Sequence, residues 1–63
     1  MITKGDLEGN NFRSLGGHIY YYKLYEYCFD IKTQSLYEFN EKTGEKEFLC
    51  HITNVDKLKD LIE

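Results

Sequence analysis

The stretch HIYYYKLYEYCFDI, residues 18–31, carries five of the chain's six tyrosines and has apolar residues at both odd and even positions. Side chains alternate between the two faces of a β-strand, so a strand with one buried face reads apolar, polar, apolar. Here the odd positions Ile19, Tyr21, Tyr25, Tyr27, Phe29 and Ile31 are core-like, interrupted only by Lys23. The even positions divide: Tyr20, Tyr22 and Leu24 are apolar, while Glu26 and Asp30 are polar around Cys28. Read as one long strand, the run is buried on both sides in its first half and on one side in its second. It therefore belongs at the centre of a sheet whose odd face is covered. Tyr20, Tyr22 and Leu24 are left on the other face, requiring a cover of their own.

What can supply that cover is limited by size. A chain of 63 residues holds one domain, 1–63, and buries only about 60% of the surface its unfolded form exposes. A hydrophobic fraction of 41%, of which the aromatics make up 16% of the chain, points to a folded globule built on a few large rings. Net charge is −3, from eight basic and eleven acidic side chains, which disfavours binding to a phosphate backbone. No apolar run approaches the roughly 18 residues a membrane span needs. The opening MITKGDLEGN is polar and lacks a signal-peptide core, so a cytoplasmic location with no membrane partner is expected, and free thiols with it.

Along the chain, residues 1–11 read as an irregular N-terminal arm or a single turn, anchored by Ile2 and Leu7 alone. Residues 12–52 read as an antiparallel sheet and 53–63 as a helix. In NFRSLGGHIYYY, Gly16-Gly17 suits a type I′ hairpin turn that pairs Leu15 with His18 and Phe12 with Tyr21. KTQS and NEKTGEKE supply two further turns. Setting Phe29 opposite Tyr37 and Tyr27 opposite Phe39 gathers four aromatics on one face. In the last strand Phe48, Cys50 and Ile52 point inward and Glu47, Leu49 and His51 outward. TNVDKLKDLIE closes as a helix capped by Thr53, with Asp56 completing a capping box and Val55, Leu58 and Ile62 forming an apolar stripe beside Leu61. No internal repeat, linker or low-complexity tract is read. The fold class expected is α+β: a small antiparallel meander of three to four strands, with a long central second strand and one C-terminal helix on one face.

The reactive side chains are Cys28, Cys50, His18 and His51. None of the paired spacings of a zinc site is present, and Cys28 and Cys50 fall on opposite faces, which opposes a shared metal or a disulfide. There is no nucleophile elbow and no glycine-rich phosphate loop, since Gly16, Gly17 and Gly44 belong to turns. No catalytic residue, metal or cofactor is therefore expected. The apolar excess remains. Either the N-terminal arm folds over Tyr20, Tyr22 and Leu24, or a partner does, with Glu26 and Glu38 as an acidic rim. The function expected is a small non-catalytic binding protein, able to form a homodimer, that occludes the surface of a protein partner. Inhibitors of host or defence enzymes from phages and mobile elements are of this size and type. Two alternatives stand beside it: a single-stranded nucleic-acid binder that stacks bases on tyrosines, and a minimal Cys/His metal protein or enzyme.

Overall fold

Four changes of chain direction organise the protein, and three of them use the same turn. The structure, a computed structural model, describes all residues 1–63. Helix α1 (Lys4–Gly9) precedes strands β1 (Arg13–Gly16), β2 (Ile19–Tyr22), β3 (Tyr27–Asp30), β4 (Ser35–Asn40) and β5 (Glu45–His51), and helix α2 (Val55–Ile62) ends the chain. The strands form one antiparallel sheet in the order β1-β2-β3-β4-β5. This is an α+β meander with five strands rather than three or four. No helix is long and apolar enough to cross a membrane.

The long second strand does not exist. Residues 23–26, KLYE, form a turn, and Tyr22 pairs with Tyr27 across it. Turns over residues 31–34 and 41–44 follow, and in all three the last residue is left-handed: Glu26 at φ 55°, Gln34 at 56° and Gly44 at 76°. The second and third also start alike. The Asp30 carboxylate accepts from the backbone N–H of Lys32 (2.9 Å), and Asn40 Oδ1 accepts from that of Lys42 (2.9 Å). These turns sit in a ten-residue repeat, Tyr-x-Phe-Asp/Asn-x-Lys-Thr-Gln/Gly, beginning at Tyr27 and again at Tyr37. The expectation of no repeat is thereby corrected. The first turn lacks both markers, having Tyr22 in place of the Asx residue and Glu26 in place of glycine, so it resembles strand.

The β3–β4 register differs as well, because the turn covers 31–34 and not 32–35, and a one-residue slip moves a side chain to the other face. Phe29 faces Leu36 rather than Tyr37, and Tyr27 faces Glu38 rather than Phe39. In the first hairpin Gly16 pairs with Ile19 and Arg13 with Tyr21, with Leu15 bulged out between Ser14 and Gly16. Leu49 is a second bulge: Cys50 pairs with Leu36 but Phe48 with Tyr37. Cys50 and Ile52 therefore turn inward as expected, while Phe48 lies on the opposite face and is 51% exposed.

The core lies on one face only. Tyr20, Tyr22, Phe29 and Leu36 from the sheet meet Ile2 and Leu7 from the N-terminal segment, Phe12, Ile52, and Leu58 from α2. The arm is thus a cover with a short helix in it. A six-residue helix has too few hydrogen bonds to persist alone. Thr3 and Asp6 cap it reciprocally, Asp6 N–H donating to Thr3 Oγ1 (3.2 Å) and Thr3 N–H to Asp6 Oδ2 (2.9 Å). Those bonds hold the Asp6 carboxyl below the usual carboxylate range. Gln34 then fastens the arm to the sheet: Ile2 N–H donates to its Oε1 (2.7 Å), and its Nε2 donates to Ile2 C=O (3.0 Å) and Ile31 C=O (2.8 Å). At the other end α2 is capped by Asn54 and not Thr53, the Asn54 Oδ1 accepting from Asp56 N–H at 2.8 Å. Leu58 is its fully buried contact, with Val55 and Ile62 half-buried and Leu61 exposed. The Tyr22 hydroxyl donates to Ile62 C=O at 3.4 Å.

Candidate interaction surface

Both helices pack on the Tyr20 face, which leaves the other face of the sheet without a covering element. Directly paired residues on adjacent strands share a face. One row across the open face is therefore Arg13, Tyr21, Cys28, Tyr37 and Phe48. Beside it on one side run Ile19, Asp30, Ser35 and His51, and on the other Phe39 and Lys46. The rings engage each other edge-on: Tyr21 with Phe39 (5.8 Å between centroids), Tyr37 with Phe48 (5.7 Å) and Phe48 with His51 (5.1 Å). Lys46 Nζ sits 5.1 Å from the Tyr37 centroid, an attractive placement of a cation over an aromatic face.

These rings change the chemistry beneath them. Cys28 is buried under the layer, and burial pushes its thiol pKa up, with Asp30 adding to the rise and Lys46 opposing it. The Tyr21 hydroxyl is shut off from water and has no hydrogen-bond partner. Its pKa is pushed up to about 12, first by burial and then by the neighbouring Glu41 carboxylate, which stops short of hydrogen-bonding geometry. A tyrosine in that state contributes bulk and not reactivity. Ser35 Oγ lies 3.2 Å from His51 Nδ1, but Ser35 is buried and also within 2.8 Å of Thr33 Oγ1, so it is a hydrogen-bonded strut.

The five residues expected to bind a partner separate into two groups. Tyr20 and Tyr22 are 2% and 5% exposed within the core, so they cannot be an exposed contact core. Their cover is Ile2, Leu7 and Leu58. Leu24, Glu26 and Glu38 do come together, lining one shallow hollow with Tyr25 at the β2–β3 turn, where Leu24 is 79% exposed. Glu26 and Glu38 also line a second hollow of about 310 Å³ with Phe39, Asn40, Glu45, Lys46 and Glu47, joining this end to the open face. Cys28 and Cys50 are free and on opposite faces, and His18 pairs with Asp30 at 3.6 Å, far from any shared ligand set. No group of three His, Cys, Asp or Glu side chains is arranged to hold a metal ion.

Tyr37, Phe39, Phe48, Lys46 and Arg13 were not singled out from the sequence as a surface. The ten-residue repeat was the available signal, since it places turns at equivalent points and so fixes parity. In a meander with these turns, equivalent repeat positions land on opposite faces: Phe29 is in the core and Phe39 on the open side. Comparison with protein-family models, curated proteins and solved structures finds no match to this chain.

Proposed function

We propose that the chain is a small non-catalytic binding protein that occludes the surface of a protein partner, using the open sheet face. The observation that carries this reading is one sheet face bearing Tyr37, Phe39 and Phe48 beside the buried Tyr21, with no element of the chain laid across it. A sheet with its second face free supplies a rigid platform, and tyrosine and phenylalanine on it present large contact area at little conformational cost. Arg13 and Lys46 are the cations on this face, with Asp30 in the row beside them and Glu41 next to Tyr21, while Glu38, Glu45 and Glu47 point to the other side. The partner surface that fits is apolar at its centre with carboxylates opposite Arg13 and Lys46. Leu24, Glu26 and Glu38 form the margin at one end.

The test is retention of a protein from an extract of the source cells on the immobilised chain, compared with Tyr37→Glu. A species held by the native chain and lost with the folded variant is the expected result. Equal retention by both, or none by either, removes the open face from consideration. A second reading draws on Lys46 over Tyr37: stacking of single-stranded nucleic acid on the same rings. Anisotropy of a labelled oligonucleotide separates the two, because that binding falls steeply with salt.

A further inference from the structure

We draw no further inference here: the strongest candidate, the exposed apolar tip of the β2–β3 turn at Leu24 and Tyr25 between the Glu26 and Glu38 carboxylates, belongs to the margin of the surface already described, and nothing in the structure shows what covers it.

Discussion

Replacing Gln34 with alanine removes the clamp that holds the N-terminal cover. Three hydrogen bonds disappear, and the Ile2 N–H, Ile2 C=O and Ile31 C=O lose their partner. A buried backbone group left unpaired costs about 1–3 kcal/mol, but release of the arm lets water reach these groups and limits that term. Release in turn exposes Ile2, now fully buried, at about 2 kcal/mol. The net loss is about 2–4 kcal/mol, against a total of about 3–9 kcal/mol for a chain of this size. Urea unfolding followed by circular dichroism measures it, and hydrogen exchange of the α1 amides reports the arm directly. Two companion variants divide the effect. Gln34→Gly loses the same bonds but relieves the left-handed backbone at φ 56°, so it is less destabilised than alanine by about 1 kcal/mol. Gln34→Glu keeps the acceptor for Ile2 N–H yet turns a carboxylate oxygen toward two carbonyls, so it is destabilised at neutral pH and recovers in acid. A loss below about 0.5 kcal/mol in Gln34→Ala, with α1 exchange unchanged, refutes the clamp.

Thiol labelling of the folded protein modifies Cys50 first, while Cys28, buried and with its pKa raised, reacts only on opening of the sheet. Equal rates contradict the ring layer over Cys28. In an absorbance titration Tyr21 ionises near pH 12. Its folded pKa lies above its unfolded value of 10.0, so the stability it contributes is complete below pH 10 and is lost as pH rises to about 12. Tyr21→Phe flattens that alkaline loss, and an unchanged alkaline profile counts against it. Leu58→Ala empties the one fully buried contact of α2 and costs about 2–5 kcal/mol by urea unfolding; a loss under 1 kcal/mol means the helix is held elsewhere. Glu38 sits directly opposite Glu47, so Glu38→Lys converts repulsion to attraction and raises stability by about 0.2–1 kcal/mol, and a decrease speaks against the β4–β5 register.

How much was legible depended on whether a turn announces itself chemically. The turn at 41–44 was readable because glycine at position 44 tolerates a positive φ, whereas the one at 31–34 was read one residue late, as KTQS, although the Asp30 carboxylate marks its start as Asn40 marks the other. The turn at 23–26 was not readable, because Glu26 takes the same left-handed conformation without any marker. The adjoining strands compel it: Tyr22 pairs with Tyr27, and Phe39 N–H donates to Glu26 C=O at 2.7 Å. That single unmarked turn moved Tyr21 off the core face and exchanged the odd and even positions of β2, while Tyr27 and Phe29 of β3 stay on the core side. The cover over Tyr20 and Tyr22 was among the alternatives visible in the sequence, through Ile2 and Leu7.

By itself the sequence determined an α+β class, a meander of β-hairpins, an amphipathic C-terminal helix and an excess of apolar residues in 18–31. Those features are local, arising from alternation, helical periodicity and turn chemistry. Only the tertiary structure decided which face is core. That choice depends on Gln34 reaching 32 positions back to Ile2, and on a one-residue bulge at Leu49 that turns Phe48 outward. Neither has a local signature, since a buried amide clamp and a bulge are settled by what packs around them. The surface left over is consequently Tyr37, Phe39 and Phe48, rings that the sequence alone assigns to the core.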